Sequence, residues 1–391
     1  MIRNKSLRRL LCLSGIMYRF LAGRLAVDTM NMGSIYPERY QELLDEKAAQ
    51  LKELFGDFEL PELEVFPSPP EHYRLRAEFR IWHQDGDIFY AMFEPGNKRA
   101  PIRIDNCPMV AEPIHQLMFP LLEEIRQHPE LRRKLFLLDF LSTLSGEVLV
   151  TLLYHRPIDE EWKALVRPLR DKYGIDLIGR SRKTKLLVER DFVIETMPLA
   201  DRELIYQQVE NSFTQPNGVV AQKMLSWAVD VTKDHEGDLL ELYCGNGNFA
   251  IALAANFDKV FATEISKTSV NSALYNIERN EIDNITIARL SSEEFTQAMT
   301  KVRAFRRLRD VDLDSYNFST VLVDPPRAGL DKGTEQLVQQ YPRILYISCN
   351  PVTLKENLQA LTETHKIERF ALFDQFPYTP HKECGVWLVK K

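Results

Sequence analysis

Three stretches of this sequence hold residues whose types and order could do chemistry on a nucleoside-bearing cofactor. In DLLELYCGNGNFAIALAANF (238–257) an apolar run, Gly245-Asn246-Gly247 and a second apolar run follow in one line. Ala250 stands at the third position of a G-x-G-x-x-G/A loop, where a small residue lets a helix close onto a strand. Glu264 closes the next apolar run, nineteen residues after Gly245, where a carboxylate would accept hydrogen bonds from ribose hydroxyls. Loop, helix and carboxylate together point to a nucleoside cofactor, without separating NAD from S-adenosylmethionine. Two more run ends matter. TVLVD leads into Asp324-Pro325-Pro326-Arg327-Ala328-Gly329, and RILYIS leads into Cys349-Asn350-Pro351. In an open α/β sheet ligands lie beyond the carboxyl ends of the strands. A carboxyl and a thiol therefore share the crevice of the glycine loop. The ordinary use of Asp before Pro is a turn or cap, and most free cysteines are inert small hydrophobes. Cys349 lies past its strand rather than within it, which favours a nucleophile. Cys244, pressed against the loop, reads as packing.

The elements that must carry these residues are legible as alternating runs. From about residue 237 strands are expected at 238–243, 259–264, 285–290, 320–324, 343–348 and 369–373, with helices between the earlier ones, a parallel sheet. Upstream, Tyr40, Leu43, Leu44, Lys47, Leu51 and Leu54 keep helical spacing. Past the prolines 61, 67, 69 and 70, short alternating runs at 73–83, 88–93, 136–144 and 148–154 read as antiparallel strands. Helices are expected at 112–126 and 160–173. Residues 34–200 thus read as an α+β domain, and 201–391 as an α/β, Rossmann-like domain.

Composition supports this class. The chain has 391 residues, 45% of them hydrophobic and 27% charged, which suits two globular domains and excludes global disorder. Residues 1–33 begin basic, then apolar, with Arg19 and Arg24 interrupting. The unbroken apolar stretch is far short of the roughly 20 residues a membrane span needs. The segment reads as a non-native or dispensable extension, an export signal being the minority reading. Five scattered cysteines, none in C-x-x-C, support neither a disulfide framework nor a zinc ribbon nor an iron–sulfur site. A cytoplasmic protein without metal is expected. The net charge of −6 argues weakly against a polyanion, although Arg180, Arg182, Lys183 and Lys185 could form a local basic face.

The residues then carry a resemblance. YRLRAEFRIWH (73–83), RQHPELRRKLFLLDFLSTLS (126–145), YQQVENSFTQPN (206–217), VDPPRAGLD (323–331), ILYISCNP (344–351) and FDQFPYTPHKECGVWL (373–388), with the glycine-loop stretch, resemble the tRNA uracil-5-methyltransferase family. The likeness spans roughly residues 36–391. SCNP and DPPR-x-G within one sheet are specific to RNA uracil-5-methyltransferases, whereas the glycine loop is shared by many methyltransferases.

The resemblance implies an S-adenosylmethionine-dependent enzyme with an N-terminal RNA-binding domain and a C-terminal catalytic one. Carbon 5 of uracil is a poor nucleophile until a thiolate adds at carbon 6, and a base must afterwards remove the carbon 5 proton. By resemblance the nucleophile is Cys349 and the base is Glu383, which on its residues alone reads as an exposed loop carboxylate. Cofactor contacts fall to Gln215, Tyr243, Asn248, Glu264 and Asp324. RNA contacts fall to Arg80, Phe136, His155 and Arg327; Phe136 equally reads as a core strand residue and Arg80 as a surface ion pair. The implied substrate is the T-loop uridine, position 54, of the tRNA T arm, with other RNAs bearing a T-arm-like stem-loop open, and neither membrane nor obligate protein partner. Ribosomal RNA relatives typically add a barrel or a four-cysteine site, and neither is evident here. The rivals are a ribosomal RNA methyltransferase, an exocyclic-amine methyltransferase, an NAD oxidoreductase, and a tRNA-folding factor with accessory methylation. Arg327 stands where the amine enzymes need an aromatic residue.

Overall fold

The computed structural model describes residues 35–93, 97 and 100–391; the extension read at residues 1–33 lies outside them. A seven-stranded sheet holds, in spatial order, Pro101–Arg103, Asp87–Phe93, Arg76–Gln84, Leu135–Ser142, Val148–Tyr154, Asp176–Ser181 and Thr184–Leu187. All neighbours are antiparallel except Val148–Tyr154 with Asp176–Ser181, which helix Glu160–Tyr173 connects. That helix starts at Asp159, whose carboxylate accepts from the Glu161 and Trp162 N–H groups. It ends at Gly174, left-handed at φ 64°, where glycine carries no Cβ penalty. Helix Glu112–Gln127 joins it over one core that includes Phe79, Tyr90, Met118, Phe140 and Trp162.

The second sheet has eight strands: Leu63–Phe66, His365–Phe373, Glu383–Lys390, Arg343–Ser348, Phe318–Val323, Asp238–Leu242, Val260–Thr263 and Ile285–Ala288. The expected parallel strands are present with small shifts in their ends. The sheet is not wholly parallel, however. Glu383–Lys390 runs antiparallel between Arg343–Ser348 and His365–Phe373, a strand the sequence reading did not contain.

The expected domain division also differs from the observed packing. Helix Tyr40–Leu54 and strand Leu63–Phe66 belong to the second sheet, not the first domain. Leu63–Phe66 pairs in parallel with Phe370–Phe373, covering an otherwise open edge. Leu44, Leu51 and Phe55 share a core with Phe370 and Leu388, and the Phe55 and Phe370 rings lie 5.1 Å apart. The expected boundary at 200/201 falls inside a hairpin, Phe192–Leu199 with Arg202–Val209. Asn276 and Asn280 tie that hairpin to the catalytic domain: their Oδ1 atoms accept from the Gln207 and Ile205 N–H groups at 2.6 and 2.9 Å.

Candidate active site

The crevice lies at the carboxyl edge of the second sheet. Asp238–Leu242 ends in Tyr243, at φ 66°, and then Gly245 and Gly247 at φ 57° and 80°. These left-handed steps turn the chain sharply into helix Asn248–Leu253. Glu264 follows strand Val260–Thr263 and clasps the same loop. Its Oε2 accepts from Gly245 N at 3.1 Å and its Oε1 from Ser266 N at 2.6 Å. The Tyr243 hydroxyl donates to Ser292 Oγ at 2.7 Å, so that side chain is anchored beside the loop.

Gln215, Tyr243, Asn248 and Asp324 line one cleft with Phe213, Thr214 and Glu241. Glu264 borders it through Gly245. The five residues assigned to the cofactor by resemblance are thereby brought together. Sequence reasoning missed Glu241 and Phe213. Glu241 is buried, and burial, then the charges of Asp324 and Glu264, push its carboxyl well above the ordinary range. Its Oε2, like Thr214 Oγ1 and Gln208 Oε1 in the same cleft, is buried without a hydrogen-bond partner. Its signal was the acidic residue inside an otherwise apolar strand. Phe213 is 74% exposed, an apolar ring presented to solvent at the mouth.

Orphaned acceptors and carboxylates around a glycine loop suit a cationic ligand. S-adenosylmethionine carries a sulfonium and an ammonium, whereas the pyrophosphate of NAD would meet the carboxyls of Glu241, Glu264 and Asp324 with no cation to pair with. The residues present therefore fit S-adenosylmethionine.

Cys349 is the first residue beyond strand Arg343–Ser348 and is partly buried. Burial, then the charges of Glu383 and Asp324, push its thiol up to about 11 against the pull of Arg327. The turn behind it is fixed. Asn350 caps helix Pro351–Thr364 by accepting from Val352 N at 3.2 Å, while its Nδ2 donates to the Arg327 carbonyl at 2.9 Å. Thr353 Oγ1 donates to the same carbonyl at 3.1 Å. The DPPR loop and the cysteine turn are thus laced together. Gly329, at φ 75°, completes the loop where a Cβ would stand 2.6 Å from Asn357 Oδ1.

Glu383 is not the exposed loop carboxylate its residues suggest. It opens the antiparallel strand and is only 3% exposed. Because that strand runs against its neighbours, its first residue lies at their carboxyl ends. Cys384 pairs with Ser348, and Glu383 with Phe373. Burial, then the charge of Asp324, push Glu383 well above the ordinary carboxylate range, with Arg327 opposing; burial takes Asp324 up to about 7. Cys244, by contrast, is buried beside the loop, in keeping with packing.

A buried polar cluster holds the segment leading to Glu383. Asp374 accepts from Lys47 Nζ at 2.7 Å and from the Tyr40 hydroxyl at 2.9 Å, and Lys47 also donates to the Phe376 carbonyl at 2.7 Å. Gln375 Oε1 accepts from Asn217 N at 3.1 Å, and Asn217 caps helix Gly218–Thr232. One network therefore fixes both the Gln215 loop and the approach to Glu383.

On the first domain Arg80, Phe136 and His155 form a continuous stack. The Arg80 guanidinium lies 3.3 Å from the centroid of the Phe136 ring, and the Phe136 and His155 rings are stacked 4.0 Å apart. Phe136 is no core residue: the register slips between Leu135 and Leu137, and such a bulge turns its side chain out of alternation. Arg327 lies apart from them, in the crevice. Half of the basic face at 180–185 is spent within the protein, since Arg180 and Lys185 both pair with Glu210, while Arg182 and Lys183 are exposed.

Sheet, glycine loop and acidic cleft define an S-adenosylmethionine-dependent methyltransferase. The family model for tRNA (Uracil-5-)-methyltransferase matches residues 39–391, and the chain belongs to that family. A Shewanella loihica protein, tRNA/tmRNA (uracil-C(5))-methyltransferase, is 57% identical over 366 residues, 93% of this chain and all of that one. Its namesake from Photobacterium profundum is 58% identical over 359 residues, covering 90% and 97%. Among solved structures, the Pyrococcus abyssi tRNA (uracil-54, C5)-methyltransferase with S-adenosyl-L-homocysteine shares the fold. Its TM-score is 0.66 at 23% identity, with 90% of this chain and 83% of that one covered. Among the described residues no helix is long and apolar enough to cross a membrane.

Proposed function

We propose that the protein methylates carbon 5 of the T-loop uridine at position 54 of tRNA, through a covalent adduct on Cys349. Family membership gives methylation of uracil carbon 5 in tRNA; the relatives' names extend the substrate class to tmRNA. The observation that carries the covalent reading is one edge of one sheet. The antiparallel strand sets Glu383 where the parallel strands deliver Cys349 and Asp324.

Gln215, Tyr243, Asn248, Glu264 and Asp324 would hold S-adenosylmethionine, which would supply the electrophilic methyl group and leave as S-adenosylhomocysteine. The Cys349 thiol gives up its proton to water, its sulfur forms a bond to carbon 6 of the uracil, and the ring's electron pair moves to make carbon 5 nucleophilic. After carbon 5 has gained its methyl group, Glu383 takes the proton from that carbon. The electron pair left behind re-forms the 5,6 double bond and expels the Cys349 thiolate. Burial that raises Glu383 keeps it protonated in the free enzyme. It must ionise before this step, and once ionised it makes a stronger base than a carboxylate in water. With its thiol at about 11, Cys349 is almost wholly protonated in the free enzyme. Arg327, which opposes that shift, is the group here that favours the thiolate.

The uridine must leave its stack, at a cost of a few kcal/mol. The Arg80–Phe136–His155 stack and the exposed Phe213 ring offer faces on which bases can rest.

The test is Glu383→Gln incubated with tRNA and labelled cofactor. A protein–RNA adduct that survives denaturing electrophoresis and carries the methyl label is expected, and Cys349→Ala must abolish it. Near-normal turnover by Glu383→Gln would remove that residue as base. Methylation confined to another uridine would overturn the position.

A further inference from the structure

We infer that His72, Glu112 and His115 form a binding site for one divalent transition-metal ion of the zinc class, on the first domain and outside the catalytic crevice. One ligand atom from each residue lies within 4.8 Å of the other two. Glu112 and His115 open helix Glu112–Gln127 at i, i+3 spacing, so they share a face. His72 reaches them from the segment before strand Arg76–Gln84, held at φ 53° by its N–H bond to the Pro108 carbonyl at 2.8 Å.

The hydrogen bonds around the three residues orient them as metal ligands are oriented. His72 Nδ1 lies 2.9 Å from the Val110 carbonyl, which it can meet only as an N–H donor. Its Nε2 then turns a lone pair toward Glu112 Oε2, 3.1 Å away. A lone pair and a carboxylate oxygen do not attract, so either a proton on Nε2 or a metal cation must stand between them. The second Glu112 oxygen is held by Gln116 Nε2 at 2.7 Å. His115 Nε2 lies 2.8 Å from Asn106 Oδ1, again an acceptor, which leaves Nδ1 with the lone pair. Such outer partners fix tautomer and ring orientation at metal sites.

The spacing fits as well. Two ligand atoms each about 2.0–2.1 Å from a tetrahedral zinc ion stand roughly 3.3 Å apart, close to the His72–Glu112 separation. Two imidazoles and one carboxylate favour zinc, cobalt, nickel or copper over magnesium or calcium, and three protein ligands leave a fourth position for water. A lone proton on His72 could satisfy Glu112, but it makes no use of the lone pair on Nδ1 of the adjacent His115 ring, 5.0 Å away. An ion uses all three. It would tie helix Glu112–Gln127 to the segment whose Leu75 N–H bonds the Pro216 carbonyl at 2.8 Å, next to Gln215.

Titration of the full chain, free of any polyhistidine tag and stripped with chelator, with Co2+ and then Zn2+ tests the assignment. Expected are one Co2+ per chain, visible d–d bands without a thiolate charge-transfer band, and displacement by Zn2+. His72→Ala and His115→Ala should each weaken binding by about a hundredfold, and Asn106→Ala by about tenfold, with unchanged circular dichroism. Glu112→Gln, which keeps the shape, should also weaken it. Cys349→Ala should bind as the parent does. A thiolate band, binding lost in Cys349→Ala, binding that ignores His72→Ala, or no uptake of either ion at 100-fold excess would each overturn the proposal.

Discussion

Binding of S-adenosylmethionine should strengthen as pH rises from 6 to 8, because the Asp324 carboxyl must lose a proton to receive a cation. In the free protein burial takes that carboxyl up to about 7. A sulfonium and an ammonium in the cleft stabilise the ionised form and pull the pKa down. Below pH 7 binding must therefore expel a proton; above it the site is already ionised, so the gain is lost on acidification and saturates in base. At pH 6, one unit below the pKa, about nine sites in ten are protonated, and the dissociation constant should be about tenfold higher than at pH 8. That is roughly 1.4 kcal/mol. Isothermal titration calorimetry at both pH values, repeated in buffers of different ionisation enthalpy, reads the affinity and the proton together. Asp324→Asn should flatten the profile, and S-adenosylhomocysteine, which lacks the sulfonium charge, should show a shallower one. An affinity constant across this range in the parent, or an equal slope in Asp324→Asn, would refute the reasoning.

Other outcomes follow from the same geometry. Cys349→Ala should abolish methylation in a labelled-tRNA assay while S-adenosylhomocysteine affinity stays within a few-fold, and Cys244→Ala should keep activity because that thiol is packed away. Phe136→Ala removes the ring that holds Arg80 and His155 in their stack. It should weaken tRNA binding by about 1–3 kcal/mol, the worth of one base resting on the displaced outer face, with cofactor affinity unchanged in a parallel titration. Asp374→Ala leaves Lys47 charged and buried, and should cost about 3–5 kcal/mol in denaturant unfolding; a loss below 1 kcal/mol would show that Lys47 finds another partner. Deleting residues 1–30 should leave solubility and turnover intact.

What the sequence made legible was what local order can express. The glycine loop, Glu264, Asp324 and Cys349 each sit at the end of an apolar run, and a parallel sheet collects such ends along one edge. Glu383 escaped because HKECGVWLVK follows Pro377 and Pro380 and its first residues look like loop. Its burial comes from insertion between two strands, Arg343–Ser348 and His365–Phe373, that the sequence cannot join. Phe136 escaped because alternation cannot show a bulge. Leu63–Phe66 escaped because its four residues lie between Pro61 and Pro67, and its partner is about three hundred residues away.

That last pairing bears on how the protein is made. Helix Tyr40–Leu54 leaves the ribosome among the first described elements, yet the strands it covers are among the last. Until His365–Phe373 and Glu383–Lys390 emerge, the core that Leu44, Leu51 and Phe55 enter lacks Phe370, Leu372, Val386 and Leu388. The first domain, whose strands are contiguous in the chain, can meanwhile fold during synthesis. The nascent chain thus carries an apolar helix in waiting, a natural handle for a chaperone. A product that stalls before residue 383 lacks Glu383 and an interior strand of the second sheet together, so incomplete translation leaves the crevice itself unbuilt.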